Sequence, residues 1–198
     1  MATFPAFHPA GTRFGPGSKL PRLLVIFLAV AGWSLTLPLP ASAQGGASAP
    51  CSAPEYRAFD FWIGEWDVFS PDGRKVGANA IRSTMGGCVL HESYDGQQGF
   101  HGESFNSWDA LRGVWHQSWM DNSGTVLLIE GGVRDGAMVL EGTTMGADGA
   151  TVLNRITWTV LNESGDRVRQ HWQASTDGGE TWTQVFDGEY RRRSLPSR

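Results

Sequence analysis

Phe59-Asp60-Phe61-Trp62-Ile63-Gly64-Glu65-Trp66-Asp67-Val68 gives the strongest indication of the fold of this chain. Aromatic and apolar residues lead into a Gly-x-Trp sequence at Gly64 and Trp66. A strand-like alternation follows, and the turn sequence Pro71-Asp72-Gly73 ends it. This order is typical of the start of a small antiparallel barrel, in which a short helical lid precedes a first strand whose tryptophan closes one end. We therefore predict a barrel with an internal cavity.

Turn sequences with glycine recur at short intervals after this stretch. Asp-Gly and Asn-x-Gly between apolar runs are typical of β-hairpins, because glycine accepts the positive φ that these turns require. The runs between the turns are rich in β-branched and aromatic residues, at 62–69, 76–84, 88–94, 102–108, 114–121, 125–130, 137–142, 151–160, 168–174 and 182–190. We predict an all-β fold: one antiparallel meander barrel of about eight to ten strands, with a short N-terminal helical turn.

The N-terminal residues 1–43 predict a secretory signal peptide. Lys19 and Arg22 precede an apolar stretch at 23–31, and Ala41-Ser42-Ala43 supplies a cleavage sequence of small residues. These features together are typical of a signal peptide that is cut after Ala43. The alternative is a membrane anchor, but the apolar stretch is shorter than the roughly 20 residues that a spanning helix needs. We expect a secreted or periplasmic protein with no stable membrane anchor.

The remaining chain predicts a single domain. We expect a flexible lead at 44–55, the β-barrel domain at 56–193 and a disordered tail at 194–198. Three of the 16 basic residues precede the cleavage point, which leaves 13 against 20 acidic residues and a net charge of −7. Nucleic-acid binding requires a basic face, so we expect no nucleic-acid partner.

The two cysteines, Cys51 and Cys88, both follow the predicted cleavage point. Two cysteines in an exported domain most simply form one disulfide. It would tie the N-terminal arm to the strand that begins at Cys88. The alternative is a metal-binding or catalytic thiol.

Several predicted strands place tryptophan and amide side chains on the same face. Side chains alternate between the two faces of a strand, which groups them as Trp115/Gln117/Trp119, Asn154/Trp158 and Gln170/Trp172. A packed core would be aliphatic and a solvent-facing surface would be charged, whereas mixed aromatic and amide faces are typical of a partly wet ligand cavity. The alternative is a packed core whose amides are all hydrogen-bonded.

Glu92 is the candidate ionisable group of this cavity. It shares a strand face with Leu90 and Tyr94. If that face points inward, burial raises the pKa of the carboxyl group unless a partner compensates. Strand parity argues against Arg155 or Arg169 as that partner. We predict that a small, partly apolar ligand binds inside the barrel among these residues: Glu92, Asn106, Trp115, Gln117, Trp119, Trp158, Gln170 and Trp172.

Two other functions stay open at this point. An enzyme would use Glu92 with a histidine as an acid–base pair, which requires both groups on one face within hydrogen-bond reach. An envelope protein-interaction module would carry a large exposed tryptophan patch on its outer wall. The sequence contains no Ser-His-Asp or Cys-His arrangement with a nucleophile elbow. We therefore favour binding over catalysis and assign no catalytic residue.

The histidines that follow the cleavage point are His91, His101, His116 and His171. None of them has His-x-His or His-x3-His spacing, and the chain has no Cys-x-x-Cys sequence, so the case for a zinc site is weak. We predict no metal site and no cofactor.

Two sequences near the C-terminus have structural interpretations. Ser175-Thr176-Asp177-Gly178-Gly179-Glu180-Thr181-Trp182 matches the Asp-box, Ser-x-Asp-x-Gly-x-Thr-Trp, in full. This motif recurs in sialidase-like propellers, but a single copy in a chain of this length predicts a structural hairpin. The arginine run at 191–193 follows the last predicted strand. One of these arginines could stack on Trp66; the alternatives are contact with an anionic surface or a solvated terminus.

These motifs resemble known families. Gly64-x-Trp66, the strand meander and an arginine after the last strand resemble the calycin superfamily, which includes lipocalins and fatty-acid-binding proteins. More closely, the opening stretch, Gly87-Cys88 with Glu92, the segment at 102–109, Trp115-x-Gln117-x-Trp119-x-Asp121 and the Asp-box resemble a bacterial domain family of unknown function (DUF1579-like) over about residues 59–193. This family has no established activity, so the resemblance implies the barrel but no reaction. Nitrobindin-type haem barrels share the general shape, but no histidine here matches a haem-ligand motif.

Overall fold

The computed structural model of the protein describes residues 49–194. Its strands are β1 (Gly64–Phe69), β2 (Lys75–Thr84), β3 (Val89–Gly96), β4 (His101–Asp109), β5 (Val114–Asp121), β6 (Val126–Arg134), β7 (Ala137–Met145), β8 (Thr151–Val160), β9 (Arg167–Ser175) and β10 (Thr183–Arg192). Short 3₁₀ helices span Pro54–Arg57, Asp60–Trp62, Met85–Gly87 and Gln97–Gly99.

The strands form a closed antiparallel meander barrel. Each strand pairs with the next along the chain, and β1 closes the barrel by pairing with β10. In that closing pair, Trp66 lies opposite Arg192 and Val68 lies opposite Tyr190. Closure leaves no exposed edge among these strands, which removes the usual template for strand pairing with other chains. The predicted all-β meander barrel is confirmed, and the two 3₁₀ helices before β1 form the predicted helical turn.

One end of the barrel is closed by an aromatic plug, which we define as Phe59 and Trp62. Both side chains are fully buried, and their ring centroids lie 5.0 Å apart in a stacked arrangement. The Phe59 ring also packs edge to face against Trp115 and Trp158, with ring centroids 5.6 Å and 5.1 Å apart. Such aromatic pairs add to the stability that area burial supplies. The plug thus comes from the segment before β1, and the predicted first-strand tryptophan, Trp66, is fully buried next to it, with its Nε1 donating to the Trp62 carbonyl at 2.9 Å.

Arg192 covers the closed end. Its guanidinium lies 4.2 Å from the centroid of the Trp66 ring, and its Nη1 donates a hydrogen bond to the Ile63 carbonyl at 2.8 Å. Gly64 has a φ of 149°, and a Cβ atom there would lie 2.1 Å from Arg192 Nη1. Only glycine leaves room for this arginine. The structure thus assigns the predicted stacking on Trp66 to Arg192.

A disulfide and a local hairpin stabilise the periphery of the barrel. Cys51 and Cys88 form a disulfide with Cα atoms 5.1 Å apart, so the predicted pairing is confirmed. The Asp-box forms a hairpin in which the Thr181 amide donates to Asp177 at 2.9 Å and Trp182 Nε1 donates to the Gly179 carbonyl at 3.1 Å. These contacts explain the motif as a structural element.

The predicted signal peptide at 1–43, residues 44–48 of the predicted lead and residues 195–198 of the predicted tail lie outside the described residues, so these assignments stay predictions. Within residues 49–194, no helix has the length and apolar character needed to cross a membrane.

Candidate functional site: a cavity at the open end of the barrel

A cavity of about 360 Å³ lies inside the barrel at the end opposite the plug. Such a volume is within the usual range for small-molecule sites. Its side wall is mostly aromatic. We call this set the aromatic wall and define it as Tyr94, Phe100, Trp119, Trp172 and Phe186.

Glycines on the strands and loops make room for four rings of the aromatic wall. A Cβ atom on any of these glycines would meet a ring atom at 3.0 Å or less, in the pairs Gly77–Tyr94, Gly96–Phe100, Gly102–Trp119 and Gly188–Phe186. The rings therefore occupy the space of the missing side chains and lie against the backbone. This arrangement keeps the rings out of the centre of the barrel, and the centre stays open.

Glu92 lies at the base of the cavity and is only 3% exposed. Its Oε1 accepts a hydrogen bond from Asn79 Nδ2 at 2.7 Å, and its Oε2 accepts one from the Ser104 hydroxyl at 2.5 Å. Burial raises the pKa of the carboxyl group to about 7, although the hydrogen bonds from Ser104 and Asn79 act to lower it. Glu92 is thus poised to change charge near neutral pH.

A chain of hydrogen bonds, which we call the amide relay, leads to Glu92 from β5. Gln117 Nε2 donates to Asn106 Oδ1 at 2.7 Å, and Asn106 Nδ2 donates to the Ser104 hydroxyl at 2.9 Å. Ser104 in turn donates to Glu92. These polar side chains are all buried, and mutual hydrogen bonding lowers the cost of burying them.

Tyr190 also lies at the base of the cavity, on the side of Glu92 opposite the amide relay. The Tyr190 hydroxyl donates to Gln170 Oε1 and accepts a 3.4 Å hydrogen bond from Asn79 Nδ2. Burial and the nearby Glu92 raise the pKa of Tyr190 well above its ordinary value, and the same two causes raise the pKa of Tyr94. Both tyrosines are therefore neutral near pH 7.

The structure divides the predicted site residues between two regions. Glu92, Gln117, Trp119, Gln170 and Trp172 line the cavity. Asn106 lies behind the cavity surface in the amide relay, whereas Trp115 and Trp158 pack against Phe59 at the closed end. The ligand-binding role of these residues stays a prediction.

Other cavity residues escaped the sequence analysis. Phe100 and Phe186 lie at strand boundaries or irregularities, where alternation gives no signal. Asn79 reaches Glu92 because the register between β2 and β3 places Asn79 opposite Tyr94, which is two residues from Glu92 on the same face of β3. Tyr190 carries a signal that could have found it, since it lies two residues from the inward-facing Gly188 on the same strand face.

The histidines do not meet Glu92. His91 Nε2 lies 3.1 Å from Glu103 Oε2, His101 Nδ1 lies 2.9 Å from Asp95 Oδ1, and His116 Nδ1 lies 3.0 Å from Glu130 Oε1. These partners are outer-face carboxylates, and His171 lies on the outer face of β9 beside Asp187. An acid–base pair of Glu92 and a histidine is therefore absent from residues 49–194. In the same part of the chain, no group of three or more His, Cys, Asp or Glu residues could hold a metal ion.

Within residues 49–194, the outer wall of the barrel carries ion pairs and no tryptophan patch. Arg155 pairs with Glu141 at 2.6 Å, and Arg169 pairs with Asp187 at 2.7 Å, so neither approaches Glu92. All the tryptophans of the described residues are buried or half-buried. The feature expected of an envelope-interaction module is thus missing from this part of the chain.

No protein-family model matches this chain, and neither does any curated protein. The resemblance to the DUF1579-like family accordingly stays a prediction.

Proposed function

We propose that this protein is an exported barrel that binds one small, partly apolar molecule in its cavity. The observation that carries the proposal is the cavity itself, which combines an aromatic wall with polar groups at its base. Binding pockets for small molecules have this composition, because apolar walls supply affinity and a few placed polar groups supply orientation.

The geometry suggests how a ligand would lie. Its apolar body would contact the aromatic wall, where each Å² of apolar surface removed from water contributes about 25 cal/mol. Its polar end would reach Glu92, Gln117 and Gln170, which line the base. Such a site selects for molecules with one polar end, since a fully apolar ligand would leave the remaining hydrogen-bonding capacity of these groups unused.

Export is the second part of the proposal. The Cys51–Cys88 disulfide supports it, because disulfides persist in oxidising compartments. The predicted signal peptide would direct the chain there. Mass spectrometry of the protein after expression in a bacterium would test this, with an N-terminus at Gln44 as the expected result and an intact Met1 in the cytoplasm as the contradicting one.

Binding can be tested with a neutral fluorescent dye. We suggest titrating the exported protein with Nile red and comparing two variants, Val76→Trp and Val133→Trp. Val76 lines the cavity, whereas Val133 is 55% exposed and lies outside it. We expect Val76→Trp to weaken dye binding at least about tenfold, equal to about 1.4 kcal/mol, with Val133→Trp unchanged. Equal binding by both variants would place the dye on the outer surface and contradict the proposal.

A further inference from the structure

The charge of the cavity indicates which class of ligand it takes, an inference that rests on the proposed binding function. Two carboxylates border the cavity, Glu92 at its base and Asp121 near its mouth. Burial acts to raise the pKa of Asp121, but hydrogen bonds from Ser123 and Trp119 outweigh it and the pKa is lowered. Asp121 is therefore ionised at neutral pH, and the mouth of the cavity is negative.

Within residues 49–194, no arginine or lysine pairs with Glu92, although His91 on the outer face acts through space to lower the pKa of Glu92. Among residues 49–194, each arginine or lysine except Arg192 forms an ion pair with a carboxylate other than Glu92. Arg192 stacks on Trp66 at the closed end instead. The partners of Glu92 within hydrogen-bond distance are the neutral side chains of Asn79 and Ser104.

The amide relay is oriented for an ionised Glu92. The Ser104 hydroxyl accepts from Asn106 Nδ2 at 2.9 Å, so its single hydrogen is left for Glu92. Asn79 likewise presents its NH₂ group to the other carboxylate oxygen. Each oxygen thus meets a donor, and a carboxylate, which only accepts, satisfies both contacts.

An ionised carboxylate with no counter-ion is costly in a buried site, and an arriving cation removes that cost. Each Glu92 oxygen keeps a lone pair that can accept a further hydrogen bond. The aromatic wall above it adds attraction, because the faces of tryptophan, tyrosine and phenylalanine rings attract cations. An organic cation would complete the charge, the hydrogen bonding and the apolar contacts together.

We propose that the ligand is an organic cation, an amine with an apolar or aromatic body, whose ammonium group donates to Glu92. A ligand whose polar end is a carboxylate is disfavoured by this site, because it would meet Glu92 and Asp121 with the same sign of charge. A neutral alcohol would fill the same space without supplying the charge.

A series of three indole compounds tests this proposal. Tryptamine, tryptophol and indolepropionate share one aromatic body and end in an ammonium, a hydroxyl and a carboxylate. Isothermal titration calorimetry of the protein as it is exported to an oxidising compartment would give their affinities at about pH 8, where Glu92 is ionised and the amine is protonated. Two variants serve as a matched pair: Glu92→Gln removes the buried charge, and Glu103→Gln removes a charge from the outer face.

We expect tryptamine to bind at least about tenfold more tightly than tryptophol, in both the wild type and Glu103→Gln. In Glu92→Gln this ratio should fall to near one, while tryptophol affinity is retained, which also shows that the variant is folded. Equal binding of amine and alcohol in the wild type, or tightest binding of the carboxylate, would overturn the organic-cation proposal and leave cavity binding intact. If none of the three compounds binds but Nile red still enters the cavity, the organic-cation proposal is likewise overturned and cavity binding stands. If Nile red also fails to enter, both proposals fail.

Discussion

The Trp119 indole occupies the space beside Gly102 that a side chain would otherwise fill: a Cβ atom on Gly102 would lie 2.2 Å from Trp119 Cζ2. This pair shows how the cavity stays open although its wall is made of large side chains. The sequence pattern indicates glycine only as a turn residue. In the barrel, several glycines instead make room for rings, as aromatic residues often cover strand glycines in β-sheets.

We predict that Gly102→Ala narrows the cavity. The added methyl group would push the Trp119 ring toward the cavity centre, because the strand backbone that carries residue 102 is fixed by its pairing on both sides. Overpacking of this kind typically costs about 1–3 kcal/mol of stability. Urea unfolding would measure that loss, and Nile red titration should show weaker binding. Gly132→Ala is the control, since a Cβ atom on Gly132 would have no neighbour within 4 Å. Unchanged dye affinity in a folded Gly102→Ala variant would refute the role of this glycine.

The stability of the ligand-free protein should depend on pH through Glu92. Its pKa in the folded state is about 7, above the ordinary 4.5. Between these values the folded protein holds a proton that the unfolded chain has released, so the free energy of unfolding falls as pH rises and levels off above about pH 7. The glutamine in Glu92→Gln does not titrate. The free energy of unfolding of this variant, relative to that of the wild type, should therefore rise by on the order of 3 kcal/mol between about pH 5 and about pH 8.

The titration of neighbouring groups does not mask the pH dependence of stability that Glu92 causes. Tyr94 and Tyr190 face the same space, but their pKa values are raised above the ordinary value. Asp121 near the mouth has a lowered pKa, and His91 lies on the outer face beside Glu103. Denaturant unfolding of both proteins at the two pH values would measure the difference, and parallel pH profiles would count against an uncompensated Glu92.

The disulfide should contribute to stability by restricting the unfolded chain. Cys51 and Cys88 are 37 residues apart, and a loop of this size corresponds to about 2–4 kcal/mol in the chain-entropy description. We expect the double variant Cys51→Ser/Cys88→Ser to unfold at a lower temperature than the oxidised wild type. Reductant should lower the melting temperature of the wild type and leave that of the double variant unchanged. A wild type insensitive to reductant would contradict this account.

Arg192→Ala should destabilise the closed end. The change removes a cation–π contact with Trp66 and a hydrogen bond to the Ile63 carbonyl, which together correspond to about 1–2 kcal/mol. Arg82→Ala is a suitable control, because Arg82 makes a single exposed ion pair with Glu65, a type of contact worth about 0–1 kcal/mol. Thermal unfolding of both variants provides the comparison, and equal losses would argue against a special role for Arg192.

The sequence predicted much of the site because strand alternation is a local property. The inward face of β5 could be assigned from the spacing of Trp115, Gln117 and Trp119 alone, and the structure confirms that Gln117 and Trp119 line the cavity. Alternation cannot say how far along the barrel axis a residue lies. Trp115 shares the face of Trp119, yet it packs against the plug at the closed end.

The polar base of the cavity shows a second limit. Ser104 lies opposite Glu92 because of the register between β3 and β4, and Asn79 reaches Glu92 from β2. Register depends on hydrogen bonds between strands and on the packing of the whole inner face. The partners of Glu92 were therefore beyond a reading of single strands.

Sequence patterns alone predicted the barrel, a tryptophan at its closed end and a Cys51–Cys88 disulfide, and they grouped the residues that share each strand face. Each follows from short-range rules: turn chemistry, a side-chain period of two and the presence of just two cysteines. The three-dimensional packing sets which inward residues border open space, which of them pack against the plug, and which neutral groups surround Glu92. Those outcomes depend on strand register and axial position, and both are set when the barrel closes.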